Sequence, residues 1–200
     1  MKRILHLISS PRGDQSFSIK LANAVIEKLQ QQNPDSTVEK VNLIESNVPH
    51  LDTAHLRSFF TPAEHLTPED QDAIRYSDQA IAQLMAADII VIGAPLYNFG
   101  IHSTLKAWID HIARAGKTFR YSDQGAEGLV KGKKVYVAMA SGGVYSEGPY
   151  QPYDSVSTYL KAVLGFLGMT DLTVYRAEGI NIPGLKEQAL DKAISSISLN

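Results

Sequence analysis

The 200-residue chain contains no cysteine. Disulfide bonds, thiolate nucleophiles and cysteine-ligated metal or iron–sulfur centres are therefore excluded, and any redox chemistry needs a bound cofactor. An excess of one charge is also lacking, because 19 basic and 21 acidic residues leave a net charge of −2. This balance predicts no binding to nucleic acid or to an anionic membrane. We expect the partners to be small molecules or a second copy of the chain.

Long apolar runs are missing as well, since no stretch approaches the ~18 apolar residues of a membrane span. The N-terminus, MKRILHLISS, superficially resembles a signal peptide. Its apolar run is short and is soon followed by PRGD, which favours a buried first strand. We therefore expect a soluble, cytoplasmic protein. The length and a hydrophobic content of 44% predict one compact domain over residues 1–200.

Apolar runs of strand length alternate with helical patterns along the chain. The third run, IIVIGA, lacks apolar and polar alternation, which is typical of a strand covered on both faces. Strands alternating with helices predict a doubly wound α/β fold, a five-stranded parallel sheet with helices on both faces. A long irregular segment, 44–68, predicts a site cover or an interface. The predicted strands are 3–8, 37–43, 88–94, 134–140 and 172–177.

The loop after the first strand, SSPRGDQSFS, places hydroxyl groups at the start of a helix. Free amides and the helix dipole at such a position favour an anion, so Ser16 and Ser18 indicate a phosphate site. Ser16 can equally be an ordinary helix cap. The glycine patterns of dinucleotide sites and P-loops are absent, which favours a monophosphate over a pyrophosphate.

The loops after the third and fourth strands should lie at the same sheet edge, where ligands bind in such folds. In APLYNFG, Gly100 permits an unusual backbone angle, and a planar ring can rest on the backbone of Tyr97 and its two successors. The alternative is that the aromatic rings only pack. In ASGGV, Gly142 and Gly143 permit close approach of a ligand, or form a flexible turn.

Other chemistries find little support in the sequence. The six histidines show no H-E-x-x-H pattern, and His102 and His111 would point to opposite sides of one helix, so we expect no metal site. No G-x-S-x-G elbow of a serine hydrolase occurs. His102 lies beside the second loop at a helix start, where capping or packing is favoured over contact with a substrate.

Four segments together resemble a known family: SSPRGDQSFS, APLYNFGIHSTLKAWID, AGKTFRYSDQGAEGLVKGKK and SGGVYSEGP. They are similar to the FMN-dependent NADH:quinone oxidoreductases, also called azoreductases, which have a flavodoxin-like fold. The similarity extends over essentially the whole chain. It implies bound FMN, NADH or NADPH as electron donor, two-electron reduction of quinones, reductive conversion of azo compounds, ping-pong kinetics and a homodimer with FMN near the interface.

The resemblance also implies the site residues. It places the chemistry at the flavin N5 and requires no catalytic side chain. The aromatic residues implied around the electron acceptor are Phe60, Tyr121 and Phe166. The residues implied to bind FMN are Ser10, Ser16, Phe17 and Ser18 at the phosphate, Pro95, Leu96, Tyr97, Asn98 and Phe99 along the isoalloxazine, and Ser141, Gly142 and Gly143 at its polar edge.

One alternative of another class remains. The chain can be a flavodoxin-type electron carrier or a flavin-binding regulator without turnover of its own. Such carriers tend to be strongly acidic for docking to partners, whereas this chain is nearly neutral. The charge therefore favours the enzyme.

Overall fold

The computed structural model describes residues 1–199. Within this range the chain forms seven strands and six α-helices, together with short 3-10 turns. The strands are β1 (Arg3–Ile8), β2 (Thr37–Asn42), β3 (Ile89–Pro95), β4 (Phe119–Ser122), β5 (Gly125–Gly128), β6 (Lys134–Ala140) and β7 (Asp171–Ala177). The helices are α1 (Phe17–Gln32), α2 (Thr53–Phe60), α3 (Pro68–Ala86), α4 (Ser103–Ile112), α5 (Ser155–Phe166) and α6 (Lys186–Ser195).

Five strands form a parallel sheet in the order β2-β1-β3-β6-β7. The central strand β3 is buried along its whole length, as its uninterrupted apolar run predicts. Helices α1 and α6 pack on one face, while α3, α4 and α5 pack on the other. The predicted doubly wound α/β fold is therefore confirmed, and all five predicted strands are present.

The order of the strands reverses between β1 and β3. After β1 the chain passes outward to β2, and it then returns to β3 and continues to the opposite edge. The carboxyl ends of β1 and β3 diverge at this point and leave a crevice between the loops that follow them. The hydroxyl of Ser9 joins the two ends by donating a 2.7 Å hydrogen bond to the carbonyl of Gly93.

The expectation of an irregular segment over 44–68 is wrong in part, because this segment contains α2 and a short 3-10 turn. Helix α2 starts with a reciprocal cap in which Asp52 accepts from the backbone of His55 at 3.0 Å. The His55 ring accepts from the Asp52 amide at 3.2 Å. A helix of eight residues is too short for a clear apolar repeat, so the periodicity did not reveal it.

A second element without a prediction is the antiparallel hairpin of β4 and β5. It is fixed against the end of α5, where the amide of Val130 donates to the carbonyl of Leu167 at 2.9 Å. A Cβ atom on Gly128 would lie 2.2 Å from the amide nitrogen of Gly168, so only glycine permits this approach. None of the helices within residues 1–199 has the length and hydrophobicity needed to cross a bilayer.

Candidate active site

The loop after β1 ends at the first turn of α1, where Ser16 is the N-cap. Its hydroxyl accepts a 3.4 Å hydrogen bond from the amide of Ile19 and lies 3.0 Å from the hydroxyl of Ser18. The amides of Phe17 and Ser18 have no acceptor inside the helix, because they belong to its first turn. Ser16 therefore caps the helix, as one of the two interpretations has it. The phosphate site stays a prediction, and the free first-turn amides are compatible with it.

A cleft of about 160 Å³ opens beside this helix start, at the carboxyl ends of β3 and β6. Its walls include residues from all three loops singled out in the sequence. Eight of the residues implied for FMN line it, namely Ser10, Ser16, Phe17, Pro95, Leu96, Tyr97, Ser141 and Gly142. Ser18 and Gly143 lie next to lining residues without lining the cleft themselves.

The cleft has further walls that the sequence did not indicate: Arg12, Ala140, Ile180 and Asn181. Arg12 brings an exposed guanidinium to the serine loop. Asn181 comes from the loop after β7. Since β7 is parallel to β6, its carboxyl end lies at the same sheet edge as the other three loops, where ligands bind in such folds. Its sequence, AEGINI, contains no feature that marked it as a ligand loop.

The paired-glycine loop is held by backbone hydrogen bonds to the loop after β7. The amide of Ile180 donates to Ser141, that of Asn181 to Gly142, and that of Gly179 to Gly143, at 3.0 to 3.2 Å. The Ser141 hydroxyl donates to the carbonyl of Gly143 at 2.9 Å. Among residues 1–199, no acceptor is found for the amides of the two paired glycines. The loop is thus tied to its neighbour by backbone hydrogen bonds, and its two glycine amides remain available as donors.

The loop after β3 is a tight turn in which the amide and carbonyl of Tyr97 bond with those of Gly100 at 2.9 and 2.8 Å. Positive φ angles occur at Asn98 (47°) and Phe99 (61°). Gly100, whose residue type permits such an angle, does not have a positive φ. Asparagine tolerates this conformation, whereas phenylalanine is strained there by about 1–3 kcal/mol. Strain of this kind persists only where the surroundings impose it, and the Phe99 carbonyl is held by the hydroxyl of Ser155.

A larger cavity of about 820 Å³ lies on the other side of this turn. Tyr97 lines both spaces, so the turn separates the cleft from the cavity. Asn98 and Phe99 line the cavity, together with the start of α4 and residues of α5. The volume falls within the 300–1,000 Å³ range of small-molecule pockets, whereas the cleft alone is below it. A ligand as large as a flavin nucleotide that binds in the cleft must therefore extend beyond it.

Helix α5 is fixed at this cavity by an ion pair. Asp154 caps the helix by accepting from the amide of Ser157 at 3.1 Å, and Arg176 donates to the same carboxylate at 2.5 Å. Burial raises the pKa of Asp154, but hydrogen bonds from Ser157 and Arg176 outweigh it and hold this pKa below its ordinary value. The charged pair thus orients the first turn of α5, which contains Ser155, the residue whose hydroxyl bonds to the carbonyl of Phe99.

The three aromatic residues implied for the acceptor lie elsewhere in the protomer. Tyr121 and Phe166 both pack on Phe119, with ring centroids 5.6 and 4.7 Å from it. Phe60 ends α2 and has no ring contact with them in the described chain. Tyr121 is 74% and Phe60 79% exposed, and neither they nor Phe166 line the cleft or the cavity. Their role therefore stays a prediction.

Comparison with known proteins agrees with this geometry. A family model described as "Flavodoxin-like fold" matches residues 2–199. An FMN-dependent NADH:quinone oxidoreductase from Paraburkholderia phymatum is 52% identical over 199 residues, covering 99% of both chains. Another enzyme of this name, from Herminiimonas arsenicoxydans, is 47% identical over 99% of this chain and 96% of its own length. This chain belongs to that family.

Solved structures of the family resemble the fold closely. An FMN-dependent NADH-azoreductase of Bacillus anthracis, solved in complex with FMN, has a TM-score of 0.87 and 32% identity, covering 97% of this chain and 95% of its own. An azoreductase of the same species has a TM-score of 0.91 and 31% identity, covering 98% and 96% of the two chains. The resemblance inferred from the sequence motifs is confirmed at the level of the family.

The donor set of the cleft fits the family's cofactor, FMN. The α1 amides and Arg12 offer positive partial or full charge to a phosphate. The free amides of Gly142 and Gly143 suit an electron-rich ring edge. A Cβ atom on Gly142 would lie 2.6 Å from Nδ2 of Asn181, so there is no room for a larger side chain at this position. The serine loop and the paired-glycine loop therefore both contribute walls to one cleft.

Proposed function

We propose that this protein is an FMN-dependent oxidoreductase that uses NADH or NADPH to reduce quinones by two electrons and to reduce azo compounds. The observation that carries the proposal is the convergence of the α1 N-terminus, the strained turn after β3 and the free amides of the paired glycines on one cleft. Family membership at 47–52% identity supports it. When bound, FMN supplies the two-electron chemistry, which a protein without cysteine cannot supply itself.

The chain's own residues bind and orient. The first-turn amides of α1 and the buried hydroxyls of Ser10 and Ser16 would hold the phosphate, and the turn from Pro95 to Phe99 would support the ring. The free amides of Gly142 and Gly143 would stabilise negative charge at the ring edge, since preorganised donors cost little reorganisation. The 820 Å³ cavity next to the turn would receive the donor and the acceptor in succession, as ping-pong kinetics require.

We further propose a homodimer in which exposed aromatic side chains of one protomer complete the acceptor site of the other. Within the protomer, Phe60, Tyr121 and Phe166 are exposed and lie away from the cavity. Large exposed aromatic side chains are common at protein interfaces. Sedimentation of the holoprotein tests this, since a monomer at micromolar concentration would contradict it. The cytoplasmic location rests on the sequence and stays a prediction.

The test of the function uses the purified protein. We expect a yellow protein with one FMN per chain that oxidises NADH when 1,4-benzoquinone is added. A colourless protein that takes up no added FMN would refute the proposal. A protein that holds FMN but shows no turnover with either nicotinamide would support the electron carrier instead.

A further inference from the structure

His102 begins α4, and one side of its imidazole is committed to the helix. The backbone amide of Thr104 lies 3.2 Å from Nδ1, and the Thr104 hydroxyl lies 2.9 Å from the same atom. A backbone amide can only donate, so Nδ1 must carry a lone pair. The proton of the neutral ring is therefore on Nε2.

The surroundings keep this imidazole neutral. Burial lowers the pKa of His102 below its ordinary value. The N-terminal end of α4 also disfavours a positive charge, because the helix dipole is positive there. The orientation of the ring is fixed as well, since the ring of Tyr97 contacts it edge-on with centroids 5.9 Å apart. His102 is thus a neutral side chain with one defined donor.

That donor belongs to the wall of the 820 Å³ cavity. His102 lines the cavity, is half-buried, and Nε2 has no partner among residues 1–199. Two other polar side chains of the wall have partners elsewhere. The ammonium of Lys106 bonds to Asp110 at 2.6 and 2.7 Å, and the hydroxyl of Ser155 donates to Phe99. The Nε2–H group is therefore a donor without a partner in the described chain, on a residue that lines a mostly apolar space.

We propose that Nε2–H of His102 donates a hydrogen bond to a carbonyl oxygen of the electron acceptor, so that His102 selects quinones over acceptors that lack such an oxygen. This inference rests on the proposed function. A site with an unpaired donor rejects ligands that cannot accept from it, because the donor loses water without gaining a partner. Azo nitrogens accept hydrogen bonds more weakly than a quinone carbonyl oxygen, so azo compounds without carbonyl groups gain less from this donor.

The test compares His102→Asn with the wild-type holoenzyme. Asparagine caps helices well, so α4 is retained, but its short side chain presents no Nε2–H to the cavity. We expect KM for 1,4-benzoquinone to rise roughly tenfold in this variant, the effect of losing one hydrogen bond. The kcat/KM for 4-aminoazobenzene should change less than about twofold. His102→Gln, which has a longer amide donor, should recover part of the loss.

Two readouts are independent of turnover. Binding of 2-methyl-1,4-naphthoquinone to the oxidised holoprotein, followed by flavin fluorescence without NADH, should weaken roughly tenfold in His102→Asn. Nitrogen-15 NMR of histidine-labelled protein should show His102 protonated on Nε2 and not on Nδ1. His65→Asn is the matched control, because His65 is exposed and does not line the cavity.

Equal naphthoquinone binding by His102→Asn and the wild type would overturn the inference, as would a proton on Nδ1. A parallel loss with 4-aminoazobenzene would also overturn it, because it would show general damage to the cavity. A wild-type protein that holds FMN but does not oxidise NADH would refute the proposed function instead. The naphthoquinone titration would still decide the role of His102 in that case.

Discussion

Substitution of Gly142 by alanine tests the close contact between the two loops that form one wall of the cleft. The added Cβ atom would lie 2.6 Å from Nδ2 and 3.2 Å from Cγ of Asn181. The backbone of Asn181 cannot withdraw easily, because its amide donates to the carbonyl of Gly142 at 3.0 Å. The Asn181 side chain must rotate instead.

The magnitude follows from two opposing effects. Forcing a side chain away from its rotamer costs about 0.5–1.5 kcal/mol. Gly142 does not have a positive φ, so replacing it by alanine also stabilises the fold by about 0.4–1 kcal/mol through the unfolded state. We expect Gly142→Ala to change the free energy of unfolding by less than about 1 kcal/mol. In an Asn181→Ala background the same change should be stabilising, which gives a coupling free energy of about 1 kcal/mol.

The assay is urea unfolding of the apoprotein, followed by the fluorescence of Trp108, the single and buried tryptophan. Gly165→Ala is the matched control, because a Cβ atom there meets nothing within 4 Å and the residue lies in α5. It should stabilise by about 0.5–1 kcal/mol in either background. Additivity of Gly142→Ala and Asn181→Ala within about 0.3 kcal/mol would refute the contact.

FMN affinity gives the functional half of this prediction. Both residues line the cleft, so an alanine methyl and a displaced Asn181 side chain reduce the space for the cofactor. We expect the Kd for FMN to rise roughly tenfold in Gly142→Ala, which corresponds to ~1.4 kcal/mol. Unchanged affinity, measured by quenching of flavin fluorescence, would show that the cofactor does not approach this glycine.

Three further substitutions test other parts of the site. Asn98→Ala should weaken FMN retention, because it removes the side-chain amide and strains the backbone at a positive φ. Asn98→Gly should remove only the side-chain amide. Equal flavin content in the wild type and both variants would exclude a role of Asn98 in FMN binding. Tyr121→Ala should change acceptor KM more than FMN affinity, and the reverse pattern would reject its assignment. Asp154→Asn should cost up to about 3 kcal/mol near neutral pH, because Arg176 loses its 2.5 Å ion pair and retains the Glu178 carboxylate only at 3.7 Å. Since the pKa of Asp154 is lowered in the folded state, its contribution is present above the ordinary value of 3.8 and disappears as the pH falls below it, so the variants should converge in acid urea titrations.

The fold was largely predictable because its signals are local. The uninterrupted apolar run of β3 and the amphipathic repeats of α1 and α3 are properties of consecutive residues. Helix α2 was missed because eight residues held by a cap show almost no period. The hairpin of β4 and β5 was missed because its strands have four residues each and are mostly exposed.

The candidate site was predictable only in part. The serine, aromatic and glycine loops were identified because parallel strands bring their carboxyl ends to one edge. The loop with Asn181 belongs to the same edge but carries no residue type that marks it. Residue type permits an unusual backbone angle at Gly100, whereas the structure has positive φ angles at Asn98 and Phe99. Turn geometry depends on hydrogen bonds between Tyr97 and Gly100, and residue preference alone cannot give these.

The sequence by itself determined the need for a cofactor, since cysteine is absent, and it determined the family and the order of strands and helices through motifs and periodicity. Tertiary structure alone decided which groups are free to act. The Ser141 hydroxyl donates to the carbonyl of Gly143, while the glycine amides beside it have no acceptor within residues 1–199. In His102, Nδ1 accepts from the first turn of α4, and Nε2–H has no partner in the described chain. The physical reason is that a donor's availability depends on partners distant in the chain, and folding settles those pairings.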